Sequence, residues 1–316
     1  MDRRRRILAG IDVATAKGLE VGPLHQPIVG RPGAPVSYID HAGTQALRAK
    51  YAGDPAVDPA AIVDVDFVWG DRPLAEAVGE AAPFDYVVAS HVIEHVPDLV
   101  GWLDEIAEVL GDGGVLSLAI PDKRYCFDAR RGLTGIADVV EAHLLASRRP
   151  PLRAVFDFWS RIVAVDTAAV WAGERGYDDV EDRLEEAFER TRVSAGSDAY
   201  ADVHVSTFTP DSFGAILHAL ARLDLLAFTV RAMSATAPGE LEFFVMLEKL
   251  PAALAPEARR ERQLASLPSP SPPTLAAGTA GRTTRFVASP REERALMAKR
   301  RLIEGLRRLV PHSRTP

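Results

Sequence analysis

The chain has 316 residues, 47% of them hydrophobic, one cysteine and a formal net charge of −7. That apolar content supports a sizeable core in one large or two smaller domains. The lone Cys126 excludes an internal disulfide and a thiolate metal cluster, and no run reaches the roughly 20 apolar residues of a membrane helix.

Short apolar runs rich in Val and Ile predict strands at 17–21, 36–39, 61–68, 85–89 and 115–120. The second ends in Asp40 and the fifth at Pro121-Asp122. Helical spacing predicts a helix over 98–110. Leu99, Trp102, Leu103, Ile106 and Val109 share one face, with Asp98 as cap and Gly111 as stop. A weaker helix is expected at 44–51. Alternating strands and helices imply a doubly wound, mostly parallel α/β sheet of the Rossmann-like kind.

The rhythm breaks after the fifth strand. Residues 125–205 read as a helical insertion, too long for a loop. Thr209-Pro210-Asp211 then opens a helix to Leu223, with Pro in its first turn. Strands at 225–233 and 241–247, joined through Pro238-Gly239, make a seven-stranded sheet with an antiparallel edge hairpin. The expected organisation is a core at 1–124, a cap at 125–205, closing elements at 206–250, a linker at 251–290 and a basic helical tail at 291–316. The linker is richest in Pro, Ser, Ala and Thr at 266–281, and a basic amphipathic helix is expected at 291–310.

Three places carry candidate chemistry. The first is the turn Glu20-Val21-Gly22-Pro23-Leu24-His25. A ligand lying across strand ends needs a residue without a side chain where it meets the backbone, and Gly22 suits this. The turn is not G-x-G-x-x-G, and Pro27, Pro32 and Pro35 argue against a helix behind it. A pyrophosphate would therefore lack its cradle, whereas a cofactor without phosphate loses nothing. The second place is Asp40, about 20 residues past the turn, where a carboxylate can accept from both hydroxyls of a ribose. The third is Asp85-Tyr-Val-Val-Ala-Ser-His-Val-Ile-Glu-His-Val-Pro-Asp98.

That third segment resembles the strand-four region of class I S-adenosylmethionine-dependent methyltransferases. The order Glu20 and Gly22, Asp40, this segment, then Gly113-Gly114-Val115-Leu116 is similar to that family across about 17–122. The resemblance implies S-adenosylmethionine as cofactor. It implies Glu20 and Gly22, with Pro23 beside them, at the methionine part, and Asp40, with His41 beside it, at the ribose. Asp66 or Asp71 would meet the adenine amino group, and Ser90 and His91 would lie beside the cofactor. The sequence departs from the family pattern at Leu24, where a second glycine belongs.

Gly18–Pro23 together with Ile120-Pro-Asp-Lys-Arg-Tyr-Cys-Phe-Asp128 resembles type 11-like methyltransferases found with glycosyltransferases in polysaccharide gene sets. This implies a sugar, glycan or glycosylated small molecule as acceptor. His91, His95 and Asp122, at strand ends, are candidate proton acceptors for a hydroxyl substrate. Lys123, Arg124 and His204 are candidate acceptor-binding groups.

His91-Val-Ile-Glu94-His95 also spells the H-x-x-E-H of inverted zinc peptidases. Pro97 breaks any helix starting at His91, so no metal site is expected and a zinc-dependent hydrolase ranks third. A methyltransferase-fold protein that binds without catalysing ranks second, because of Leu24. Ten Arg and Lys against three Glu from Arg282 onward leave an acidic body, which disfavours nucleic acid as partner. The basic start at Arg3 lacks the long apolar stretch of a secretory signal. A cytoplasmic protein without stable membrane insertion is expected, with a homodimer as candidate assembly.

Overall fold

Seven strands form one sheet: β1 (Gly18–Val21), β2 (Val36–Asp40), β3 (Phe67–Val68), β4 (Phe84–Ser90), β5 (Leu110–Pro121), β6 (Phe228–Ser234) and β7 (Glu242–Lys249). Their order is β3-β2-β1-β4-β5-β7-β6. The first five run parallel, and β7 runs antiparallel to both β5 and β6. The order reverses between β1 and β4, which opens a crevice at their carboxyl ends. This is the computed structural model of the chain, and it describes residues 2–177 and 182–267. They belong to one compact unit, Met1–Ser271. The expected basic helix at 291–310 and the linker beyond 267 lie outside the described residues.

The helices are α1 (Arg3–Ile7), α2 (Thr44–Lys50), α3 (Leu74–Val78), α4 (Leu99–Val109), α5 (Ile136–Leu144), α6 (Leu152–Arg161), α7 (Thr167–Trp171), α8 (Leu184–Ala195), α9 (Pro210–Leu223) and α10 (Pro256–Ser266). α4 forms as its pattern dictates. Asp98 accepts the Gly101 N–H at 2.9 Å, and Leu99, Leu103, Ile106 and Val109 are buried against the sheet. α9 begins with a capping box between Thr209 and Ser212 and buries Phe213, Ile216, Leu217 and Leu220. α5 to α8 make up the helical insertion between β5 and α9. α10 falls inside the stretch read as linker; its Gln263 is buried and donates to the Leu226 carbonyl. None of the described helices is long and apolar enough to cross a membrane.

The second face of the sheet is covered differently. Ile7 of α1 and Ile28 and Val29 of the loop after β1 pack with Tyr38, Tyr86, Val88, Phe244 and Met246. No helix forms between Gly22 and Val36, as the prolines there predict. Gly18 is required by Tyr86, because a Cβ at that position would fall 2.0 Å from the ring.

Two strands depart most from their expected bounds. The third strand shrinks from 61–68 to Phe67–Val68, because Asp66 Oδ2 accepts the Tyr38 N–H at 2.7 Å and so replaces a ladder bond with a side chain. β5 begins five residues early, at Leu110, where it pairs with Phe84 before a register shift. The expected antiparallel hairpin forms at the sheet edge, with β6 outermost and β7 against β5.

Candidate functional site

The crevice begins at the β1 turn. Gly22 has φ 65, in the left-handed region, so glycine is needed there for the backbone alone. A Cβ on it would also come within 3.3 Å of Val92 Cγ2. Leu24, at the place of the second glycine, itself adopts φ 46. Glu20 is buried, and its carboxylate accepts the N–H groups of Ile28 (2.6 Å) and Val29 (2.9 Å). Burial raises its pKa to about 7, against the lowering effect of those two bonds. Glu20 therefore pins the loop that replaces a helix. Pro23 follows Gly22 on the same turn.

Asp40 ends β2 beside this turn, since Ile39 is paired with Val21. Its Oδ1 accepts the His41 N–H at 2.7 Å and lies 2.6 Å from His41 Nδ1. Of the two acids offered for adenine, Asp66 is bound to Arg31 and to the Tyr38 N–H. Asp71 is exposed in the turn after β3. β4 ends at Ser90, whose Oγ lies 2.6 Å from Arg3 Nη2.

Next to Ser90 the backbone turns sharply, with His91 at φ 54. Its Nε2 lies 2.8 Å from Glu242 Oε2, and Arg3 Nε donates to Glu242 Oε1 at 2.6 Å. Burial pushes the Glu242 carboxyl up, but the hydrogen bonds from His91 and Arg3 outweigh it and hold the pKa at about 2. A charged carboxylate therefore orients the His91 ring.

Beyond His91 a short 3₁₀ turn, Ile93–His95, precedes α4, so the H-x-x-E-H residues do not share an α-helix. The turn brings Glu94 inward with 0% exposure. The Glu94 carbonyl accepts the N–H groups of Val205 (2.8 Å) and Ser206 (3.0 Å), which straps the far end of the insertion across the turn. His204 lands beside His95, with ring centroids 4.7 Å apart in a T-shaped pair. His204 Nδ1 lies 2.6 Å from Asp128 Oδ2, and Arg131 donates to Asp128 Oδ1 at 2.8 Å. Burial raises the Asp128 pKa, but contacts with His204 and Arg131 prevail and lower it. His95 Nδ1 lies 3.2 Å from Asp202 Oδ1. Burial works against the His95 charge, but Asp202 and Glu94 raise its pKa on balance.

These side chains line a cavity of about 600 Å³. Its wall holds His91, Glu94, His95 and His204 together with Tyr125 and Phe127 from the loop after β5. A second cavity, of about 670 Å³, lies between 145–152 and 194–201 and holds none of the candidate residues. Asp122 stays outside the cluster. It is fully buried, and its carboxylate is taken by Thr236 Oγ1 (2.6 Å) and Arg124 Nη2 (2.6 Å). Lys123 Nζ donates to the Ala129 carbonyl at 3.0 Å. Cys126 is buried, and burial pushes its thiol pKa far up, which keeps it a neutral filler.

Sequence reasoning missed Glu242, Asp128, Asp202 and Arg3, and saw Glu94 only as part of a spelling. His91 and Glu242 are 151 positions apart, and Asp128 and His204 are 76 apart. No local pattern joins such pairs.

Residues 9–220 match a family model described as a methyltransferase domain. No protein of curated function matches the chain. Among solved structures, similarity extends to the magnesium protoporphyrin IX methyltransferase ChlM of Synechocystis PCC 6803, with 9% identity, 78% of this chain and 80% of that chain covered, and a TM-score of 0.35. The CurJ carbon methyltransferase gives 11% identity, 75% and 49% coverage, and a TM-score of 0.30. The DszA carbon methyltransferase gives 15% identity, 77% and 50% coverage, and a TM-score of 0.32. The chain spans about half the length of those two carbon methyltransferases. The family match covers well over half of the chain, and the sheet has the topology expected from the sequence: the chain belongs to the class I methyltransferase-domain family.

Proposed function

We propose that the chain transfers a methyl group from S-adenosylmethionine to a hydroxyl of a sugar, glycan or glycosylated small molecule. When bound, the cofactor supplies an electrophilic methyl on a sulfonium sulfur. Residues of the crevice fit it: Gly22 offers backbone without a side chain, Asp40 ends β2 as a carboxylate, and Ser90 ends β4. In this reading Gly22 and Pro23 face the methionine part and Asp40 with His41 the ribose. Glu20 acts through the loop it pins.

The observation that carries the acceptor reading is the 600 Å³ cavity lined by His91, the residue after β4, which combines imidazoles with the rings of Tyr125 and Phe127. Aromatic faces suit the C–H face of a pyranose, and imidazoles suit its hydroxyls. His91 takes the acceptor proton. Glu242 holds its Nε2 and favours the charged ring that forms, as a carboxylate does for a catalytic histidine. Much of the rate then comes from alignment of acceptor oxygen and methyl group. His95 and His204 line the far wall and hold the acceptor.

Labelled S-adenosylmethionine offered with sugars and glycosides, beside amine and carboxylate acceptors, tests the proposal. Label appearing as a methyl ether supports it. Label transferred to nitrogen or carboxylate acceptors, but to no hydroxyl, would refute it.

A further inference from the structure

We propose that Glu94, His95 and His204 form a binding site for one divalent first-row transition-metal ion of the zinc, manganese or cobalt type. Glu94 has 0% exposure, and neither carboxylate oxygen receives a hydrogen bond. A buried carboxylate without donors is costly, and such groups are normally paired or bound to a metal. The basic groups closest to it are imidazoles at distances too long for hydrogen bonds. His91 Nδ1 lies 3.7 Å and His204 Nε2 3.9 Å from Glu94 Oε1. One donor atom each from Glu94, His95 and His204 lies within 4.8 Å of the others. Metal–ligand bonds of about 2.0–2.2 Å place neighbouring ligands about 3–4 Å apart, so a contraction of at most about 1–2 Å closes the set on an ion.

The surroundings fit the same reading. Ligating histidines characteristically give their other ring nitrogen to a carboxylate. Here His204 Nδ1 faces Asp128 at 2.6 Å, and Asp202 lies 3.2 Å from His95 Nδ1, a near contact without hydrogen-bond geometry. Arg131 and Lys50 hold those carboxylates in turn, at 2.8 and 2.9 Å. Two imidazoles and one carboxylate favour a transition metal over calcium or magnesium. This is not the peptidase arrangement that the H-x-x-E-H spelling suggested. Glu94 is a ligand rather than a base, and the third ligand arrives from beyond the helical insertion. The sequence reading expected no metal because Pro97 breaks a helix from His91, and nothing local brings His204 to this turn. All three residues line the cavity, so the open positions of the ion face it and can take an acceptor oxygen. That use of the ion rests on the methyl-transfer reading; ion binding does not.

The test is a Co²⁺ titration of the full chain after chelator treatment, read by visible d–d absorption and calorimetry. One ion per chain is expected. Glu94→Gln and His204→Asn should each weaken uptake by roughly 100-fold or more, at or beyond the upper end for loss of an outer partner. S-adenosylmethionine affinity should stay within about threefold, because neither residue is assigned to the cofactor. In the wild-type chain, Co²⁺ should shift the imidazole resonances of His95 and His204 and leave that of His218 on α9 in place, which keeps the test independent of variant folding. No uptake by the wild type at millimolar Co²⁺ would overturn the site, as would uptake unchanged in both variants or shifts confined to other histidines. Loss of cofactor binding with Co²⁺ uptake intact would strike the methyl-transfer reading alone.

Discussion

Glu20 and Glu242 are two buried carboxylates displaced in opposite directions, and each leaves its own mark on stability. Burial raises Glu20 from 4.5 to about 7, so the folded state holds its proton more tightly than the unfolded chain. Its contribution is full below pH 4.5 and fades as pH rises to about 7. Glu20→Gln, neutral throughout, should remove this loss, up to about 3 kcal/mol, from the difference between urea unfolding at pH 4.5 and at pH 8. Glu242 falls from 4.5 to about 2, because His91 and Arg3 outweigh its burial. Its contribution is full above pH 4.5 and fades as pH falls towards 2. Glu242→Gln should therefore cost up to about 3 kcal/mol at pH 7 and under about 1 kcal/mol near pH 2.5. Equal costs at both values would show that Glu242 is not ionised by its partners. At Asp40, truncation to Ala should weaken S-adenosylmethionine by about 10- to 100-fold in calorimetry, the loss of a hydrogen bond to a charged group. An unchanged affinity would remove Asp40 from the cofactor site.

Helices with local signals were legible in the sequence, and those that depend on distant partners were not. α4 and α9 carry caps, apolar stripes and stops within their own residues, and the structure places both within a residue of expectation. Thr209→Ala should cost about 1 kcal/mol in thermal or urea unfolding, the usual value of such a cap. It should also loosen the neighbouring segment that straps over Glu94, visible as faster amide exchange at Val205 and Ser206. β3 was overread because alternating Val and Asp satisfy a strand pattern, while nothing local reveals that Asp66 bonds to the Tyr38 N–H. The order of the closing strands was likewise open, since an antiparallel pair can join the sheet by either member.

Across the whole molecule, the positions proposed for the cofactor were legible because they follow three neighbouring strands, β2, β1 and β4, of one parallel sheet. Gly22, Asp40 and Ser90 reach a common crevice through topology alone. The acceptor side was not legible. It is assembled when the insertion folds back, bringing Asp128, Asp202 and His204 to the His91–His95 turn. In the proposed reading, acceptor groups sit on the insertion and the cofactor crevice on the sheet, the division expected when one fold serves many acceptors. The central claim is that this crevice, without a glycine at Leu24 and without a helix behind β1, still holds S-adenosylmethionine. Calorimetric titration of the full chain with S-adenosylmethionine tests it directly. One site per chain with submillimolar affinity, reduced in Asp40→Ala, is expected. No binding at millimolar cofactor would contradict it.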